Sequence, residues 1–264
     1  MATARNGDVE LSYEVAGAGP PLLLIAGWGQ GSWAWYRQVP DLSRDYTVIT
    51  FDHRGVGGSS KVTTTYTADD MAMDVDSVME AAGAESAHVV GISLGGIVAM
   101  ALASDRPERV LSLVVMASPF PGPGSVPYPE ETLAAVLDPM PDLTPEQRLR
   151  KVLPYSLSPG WSEAHPDEFD DLLARRLSNL PDPASLVAQS TVAGRTDLTD
   201  RLRSITAPTL VCHGTQDQFV PCENAKLIAD AIPGARVALC PGAGHVMGVE
   251  QPEWVNARIP EHCR

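Results

Sequence analysis

From Ala87 to Ser104 the chain reads AHVVGISLGGIVAMALAS. An apolar, β-branched run, Ala87–Ile92, passes without a spacer into an apolar, alanine-rich run, Leu94–Ser104. The first pattern suits a buried strand and the second a helix. Between them stands a G-x-S-x-G sequence, Gly91-Ile92-Ser93-Leu94-Gly95. A strand that turns directly into a helix forces the junction residue into strained backbone angles. Side chains two positions before and two after would collide with strand and helix, so both positions call for glycine. The turn lifts the Ser93 hydroxyl above the sheet, at a helix N-terminus whose free N–H groups favour a developing anion. Ser93 is therefore the candidate nucleophile.

The same alternation extends on both sides. Val9–Val15, Pro21–Ala26, Thr47–Phe51, Val110–Met116, Thr209–His213 and Ala235–Cys240 also read as strands, most of them continuously apolar. Strands covered on both faces have that character. Helical patterns fall at Ser32–Leu42, Ala68–Ala82, Cys222–Ala231 and Pro252–Ile259. The alternation predicts an α/β fold with a mostly parallel sheet flanked by helices. A hairpin-like pair at the N-terminus adds antiparallel edge strands.

One segment interrupts the pattern. Residues 119–205 contain no strand-like run, and they hold 13 of the 23 prolines. Helical stretches at Glu130–Leu137, Pro145–Leu153, Pro166–Leu180 and Pro183–Val192 are separated by these prolines, which start helices well and stop them outside. The expectation is a helical cap, 119–205, inserted between the sixth and seventh strands of a core made of 1–118 and 206–264. Five of the fifteen aromatic residues lie in it: Phe120, Tyr128, Tyr155, Trp161 and Phe169. Some of them are expected to line an apolar substrate pocket over Ser93, with Phe120, Tyr128, Tyr155 and Trp161 as the substrate-binding candidates.

Composition narrows the function classes. The 264 residues are 44% hydrophobic and 20% charged, as in a folded globular protein. Nineteen basic against 33 acidic residues give a formal net charge of −14, a surface that repels phosphate backbones. Nucleic acid is therefore not an expected partner. No run of about 18 apolar residues is present to cross a membrane, and the N-terminus lacks the apolar core of a signal peptide. Cys212, Cys222, Cys240 and Cys263 form no CxxC pair and no metal-ligand spacing, and read as reduced thiols of a cytosolic protein. The expected partner is a small-molecule substrate.

A serine hydroxyl needs a base. His245, in Pro241-Gly242-Ala243-Gly244-His245, follows the last strand-like run, and its glycines let the loop fold back toward the sheet. The base needs an acid to fix its tautomer and stabilise its cation. Asp217 lies just past the Thr209–His213 strand, whereas the end of the preceding strand, Met116–Phe120, offers no acid. The order Ser93, Asp217, His245 is that of a hydrolase sheet. The oxyanion needs two N–H donors: Leu94 follows the nucleophile, and Trp28, in the loop Ala26-Gly27-Trp28-Gly29, is the candidate for the second. No metal or organic cofactor is required.

Taken together, these residues resemble the α/β-hydrolase superfamily in its helical-cap branch, over essentially the whole chain. Asp52-His53-Arg54-Gly55-Val56-Gly57-Gly58-Ser59 matches the D-x-R-G-x-G-x-S loop of that branch, in which Asp52 and Arg54 brace the loops around the site. The block Tyr66–Ser118 resembles enol-lactonases and small carboxylesterases. The family's His-Gly stands here as Ala26-Gly27, a difference that bears on the oxyanion loop and not on the reaction class. The resemblance implies an esterase or lactonase working through an acyl-enzyme. Serine at the elbow argues against the dehalogenases and epoxide hydrolases of similar fold, which place Asp there. The same three residues also serve carbon–carbon bond hydrolysis, perhydrolysis and cofactor-free cyclisation on this fold. A ligand-binding protein with an idle triad is the alternative from another class.

Overall fold

The computed structural model describes residues 1–61 and 64–264. Its strands are β1 (Ala2–Asn6), β2 (Val9–Ala16), β3 (Pro21–Ile25), β4 (Thr47–Phe51), β5 (Ala87–Ile92), β6 (Val110–Met116), β7 (Thr209–Gly214) and β8 (Arg236–Cys240). They form one sheet in the order β1-β2-β4-β3-β5-β6-β7-β8. β2 pairs antiparallel with β1 and with β4, while the remaining pairings are parallel. The N-terminal hairpin thus contributes one reversed strand, because β1 again runs with β4.

Helices α1 (Val39–Leu42), α2 (Ala68–Ala81) and α3 (Leu94–Asp105) precede β6. Between β6 and β7 lie α4 (Glu130–Leu137), α5 (Pro145–Val152), α6 (Trp161–Ala164), α7 (Pro166–Ser178) and α8 (Pro183–Arg195). α9 (Glu223–Ala231) joins β7 to β8, and α10 (Met247–Glu250) and α11 (Pro252–His262) close the chain. No helix among the described residues is long and apolar enough to cross a membrane.

Alternation within β3 explains its continuous apolar run. Leu23 and Ile25 pack with Met71, Val75 and Met100 of α2 and α3, whereas Leu22 and Leu24 pack with Leu42, Met247 and Ile259 of α1, α10 and α11. Side chains alternate across a strand, so a sheet covered on both faces needs apolar residues at every position.

Two differences from the sequence reading have local causes. Ser32–Leu42 is not one helix but a 3-10 turn, Ser32–Trp35, followed by the short α1. Pro40 has no N–H and its ring excludes a preceding helical turn, so it is accommodated only near the start of a new helix. α7 ends at Ser178 and not at Leu180 because Pro181 disfavours the helical region for the residue before it.

The D-x-R-G loop is a brace, as expected. Asp52 Oδ1 accepts from Ser32 N at 2.9 Å, and its Oδ2 accepts from Gly58 N at 2.9 Å. Arg54 makes a two-pronged, buried ion pair with Asp74 of α2, Nε–Oδ2 2.6 Å and Nη2–Oδ1 2.7 Å. Arg54 also lies 5.1 Å above the Tyr66 ring. The Tyr66 hydroxyl is buried without a hydrogen-bond partner. Burial pushes its pKa up to about 12, against the pull of Arg54.

That raised pKa has a directional consequence. The folded state holds the phenolic proton more tightly than the unfolded chain does. The stability from this site is complete below pH ~10 and is lost as pH rises from there toward the folded value. Tyr66→Phe keeps the ring under Arg54 and removes the orphaned hydroxyl. Its expected effect at pH 7 is a gain of ~1 kcal/mol, read from urea unfolding. Repeating the titration at pH 7, 9 and 10.5 should show a steeper alkaline loss in the wild type; parallel losses would refute the assignment.

Candidate active site

β3 and β5 are neighbours in space, but the chain leaves β3 toward β4 on one side and returns to β5 on the other. Such a reversal opens a crevice at the carboxyl ends of the strands. Four loops converge on that edge: 26–29 after β3, Ser93 after β5, 215–222 after β7 and 241–246 after β8.

Ser93 has φ 56° and ψ −120°, outside the ordinary wells for a side-chain-bearing residue. Such strain costs ~1–3 kcal/mol and persists only when surrounding structure imposes it. Here Ser93 N donates to Met116 O at 2.8 Å, and Ser93 O accepts from Ser118 Oγ at 2.9 Å and Gly96 N at 2.9 Å. A Cβ on Gly91 would lie 2.2 Å from Gly95 O, and one on Gly95 2.3 Å from Ile25 O. The two glycines are therefore steric requirements of the turn. Ser93 precedes α3 as its N-cap, yet its side chain makes no capping hydrogen bond. An N-cap serine normally spends its hydroxyl on the helix; this one stays available for other chemistry.

Asp217 and His245 meet directly, with His245 Nδ1 2.8 Å from Asp217 Oδ2. Donation from Nδ1 leaves Nε2 of the neutral ring as the proton acceptor. The Asp217 side chain is fully buried. Its Oδ1 accepts from Phe219 N and Val220 N, each at 2.8 Å, and Oδ2 also faces His213 Nε2 at 3.1 Å. Burial alone would raise the Asp217 pKa. The His245 charge and the hydrogen bonds from His213 and His245 outweigh it and hold the carboxyl well below the usual range.

His213, at the end of β7, is a part of this cluster that the sequence reading does not include. Its Nε2 lies between two acceptors, Asp217 Oδ2 and Val220 O (3.0 Å), so that nitrogen carries the hydrogen. The signal available was its position four residues before Asp217. Glu250 was also missed. Half-buried at the end of α10, it accepts from Gly244 N through Oε1 and from Ser158 N through Oε2, both at 2.9 Å. Burial raises its pKa, while the Ser158 and Gly244 amides pull the other way. Glu250 thus ties the turn before His245 to the inserted helical segment. Gly244 has no room for a side chain, because a Cβ would sit 2.4 Å from Ser158 N.

Loop 26–29 is ordered without the family's histidine. His53 Nε2 donates to Ala26 O at 2.8 Å, and burial lowers the His53 pKa and keeps the ring neutral. From the other side, α8 reaches down: Trp28 Nε1 donates to Leu186 O at 2.9 Å, and Gly29 N to Gln189 Oε1 at 2.7 Å. A Cβ on Gly27 would lie 3.4 Å from Ser93 Cβ, so the loop runs beside the nucleophile. Leu94 opens α3, where the first N–H groups have no partner within the helix.

The aromatic candidates of the inserted segment separate into groups. Tyr128 packs edge-on against Phe219 (5.5 Å between ring centres), and Phe219 in turn lies 5.1 Å from the His245 ring. Tyr155 is half-buried in the 3-10 turn Leu153–Ser156. Phe120 packs partly against the large core cluster. Trp161 and Phe169, by contrast, belong to an apolar cluster with Leu153, Leu157, Leu172 and Val249, and Trp161 stacks on His165 at 4.8 Å. These two pack the insertion onto Val246 and Val249 of the core, and none of the five aromatics lines the cavity bordered by Ile92 and Val246. Among the described residues no group of three or more His, Cys, Asp or Glu is arranged to hold a metal.

Comparison with known proteins fits this geometry. A family model described as the alpha/beta hydrolase fold matches residues 20–252. A protein of Azorhizobium caulinodans named "Putative carbamate hydrolase RutD" is 31% identical over 263 residues, covering 100% of this chain and 98% of its own. A 2-hydroxy-6-oxononadienedioate/2-hydroxy-6-oxononatrienedioate hydrolase of Paraburkholderia phymatum is 32% identical, covering 96% of this chain and 90% of its own. Among solved structures, Est816, titled an N-acyl homoserine lactone degrading enzyme, superposes with a TM-score of 0.84 at 29% identity, covering 98% of this chain and 99% of its own.

Proposed function

The chain belongs to the α/β-hydrolase family, and from that premise we propose that it is a serine hydrolase cleaving a carboxylic ester or lactone of a small, partly apolar substrate. The observation that carries the reading is the coincidence of two features on one sheet edge. One is a strained Ser93 whose hydroxyl is not spent on its helix. The other is a His245–Asp217 pair with Nδ1 engaged and Nε2 left as base.

In this mechanism Ser93 Oγ attacks the acyl carbon while His245 Nε2 takes its proton. Asp217 stabilises the imidazolium. The N–H groups of Leu94 and Trp28 hold the oxyanion, each contributing ~2.7–4 kcal/mol to barrier lowering. His245 then returns the proton to the leaving alcohol oxygen. Water, deprotonated by the same nitrogen, releases the acid and regenerates Ser93. Residues 119–205 act as a cap on a core of 1–118 and 206–264. Tyr128 is the best supported of its aromatic residues for substrate contact, through Phe219 and His245.

The test is a p-nitrophenyl ester series of increasing acyl length, run beside an acyl homoserine lactone and a phenyl carbamate, with fluorophosphonate labelling of the protein. Ester or lactone turnover with label on Ser93 is the expected result. Turnover of the carbamate alone would replace the ester assignment. Absence of both turnover and label would overturn the nucleophile.

A further inference from the structure

A second feature lies near the same sheet edge and plays no part in the proposed chemistry. A small cavity of about 30 Å³ is bounded by Gln30, Trp33, Trp35, Ile92, Val246 and Arg176, among others. Ile92 directly precedes Ser93, and Val246 directly follows His245. The cavity therefore borders the chain neighbours of both residues at the carboxyl edge of the sheet, with space for roughly two water-sized groups.

The lining has an excess of donors. Arg176 comes from α7, a helix rich in carboxylates, but three of that helix's four acids are engaged elsewhere. Glu168 pairs with Arg37 (2.7 Å), Asp170 with Arg150 (2.9 Å) and Asp171 with Arg175 (2.9 Å). Among the described residues the Arg176 guanidinium has neither an ion pair nor a hydrogen bond. Its central carbon lies 5.5 Å from the Trp33 ring centre. That ring face offsets part of the desolvation but offers no acceptor for the N–H groups. Burial without a counter-charge lowers the Arg176 pKa to about 10. The indole nitrogens of Trp33 and Trp35 are also buried without acceptors. The Gln38 amide nitrogen, on the same wall, is spent on Gly248 O at 2.8 Å.

Guanidinium and indole nitrogens can only donate. Three such groups, unpaired on residues that line one small cavity, suit an acceptor-rich and negatively charged occupant. A planar guanidinium matches a carboxylate two-pronged, and the charge-assisted bonds so formed are the strong ones. We propose that Arg176, with Trp33 and Trp35, forms a carboxylate subsite, so that the substrate carries an ionised carboxylate besides the bond cleaved at Ser93. The assignment of the cavity to a substrate rests on the Ser93 reading above.

Two measurements test it separately. The first is kcat/KM for two acidic esters against neutral counterparts. p-Nitrophenyl hydrogen glutarate against p-nitrophenyl valerate puts the acid on the acyl side. 3-Carboxyphenyl butyrate against phenyl butyrate puts it on the alcohol side. At least one acidic ester should be preferred by tenfold or more, and Arg176→Gln should lower that preference at least tenfold. No preference, or one that Arg176→Gln leaves intact, overturns the subsite.

The second is glutarate binding to wild type, Arg176→Lys and Arg176→Gln by calorimetry at low salt, which needs no turnover. Expected is a loss of several-fold on Arg176→Lys, which keeps the charge but not the planar fork, and of at least tenfold on Arg176→Gln. Equal affinity in all three overturns the proposal. Should no ester or lactone be hydrolysed and no fluorophosphonate label reach Ser93 while binding still depends on Arg176, the Ser93 reading fails and the anion subsite stands. Should Arg176→Gln not fold, the Arg176→Lys comparison decides alone: affinity equal to wild type overturns the proposal.

Discussion

Ser93→Ala should lower kcat for a p-nitrophenyl ester by about 10⁶-fold, in line with loss of a serine nucleophile in other hydrolases, while leaving the fold intact. The two halves of this expectation have different origins. Chemically, removing Oγ removes the atom that bonds to the acyl carbon. The remaining oxyanion donors would support only a residual rate above water, ~10³–10⁴-fold. Structurally, the Ser93 backbone makes the bonds that hold the elbow, through N to Met116 O and O to Gly96 N and Ser118 Oγ. Its side chain makes no capping bond. Alanine at φ 56° inherits the strain that serine already bears, so unfolding free energy should change by less than ~0.5 kcal/mol, as for substitutions that break no named interaction. Saturation kinetics beside urea unfolding check both halves. A variant retaining more than a hundredth of wild-type kcat would rule Ser93 out as nucleophile.

The second large effect belongs to Asp217→Asn, with an expected loss of about 10⁴-fold in kcat by analogy with the same change in serine proteases. Oδ1 of Asp217 receives Phe219 N and Val220 N, so the amide oxygen of asparagine should take that side. Its NH₂ then faces His245 Nδ1 and His213 Nε2, both of which donate in the wild type. Donor meets donor. His245 must move its hydrogen to Nε2, where it points at Ser93 and the ring cannot act as base. His213 keeps Val220 O as its acceptor, so the strand end should survive.

Stability should change in a pH-dependent way. The wild-type carboxyl is held below its ordinary value near ~4, so the folded state binds fewer protons than the unfolded one in the interval between the two values. Its stabilisation is complete above the ordinary value and is lost as pH falls through the folded one. The wild-type advantage over Asp217→Asn should therefore shrink on acidification below pH ~4. An advantage independent of pH there, or a kcat within tenfold of wild type, would contradict the assignment.

Parts of this site were legible because they rest on short-range rules. The Gly91–Gly95 turn is specified by residues within five positions of one another, and the structure shows why: a Cβ added at either glycine would fall under 2.5 Å from a backbone atom. Asp217 and His245 follow strands whose apolar runs are unambiguous. Other parts were not legible because no local pattern encodes them. Pro40 split an apparently continuous helix. Trp161 and Phe169 gave the composition of a pocket but pack the insertion onto the core. Burial direction in an irregular segment depends on neighbours far away in sequence, and periodicity cannot supply it.

The sequence by itself determined the sheet, its covered faces, the elbow and the order Ser93, Asp217, His245, because strands, helices and tight turns answer to local sterics and to the spacing of apolar residues. Only the tertiary structure decided what surrounds them. His53 reaches Ala26, Gln189 reaches Gly29, Glu250 joins Gly244 to Ser158, and Arg176 of α7 comes to line the cavity beside Ile92. The first of these contacts spans 27 residues and the second 160. A lone polar side chain gives no hint of such a partner in its own segment. The pairing is fixed by how the buried faces pack, since a buried donor or acceptor must then find whatever complementary group the packing brings near.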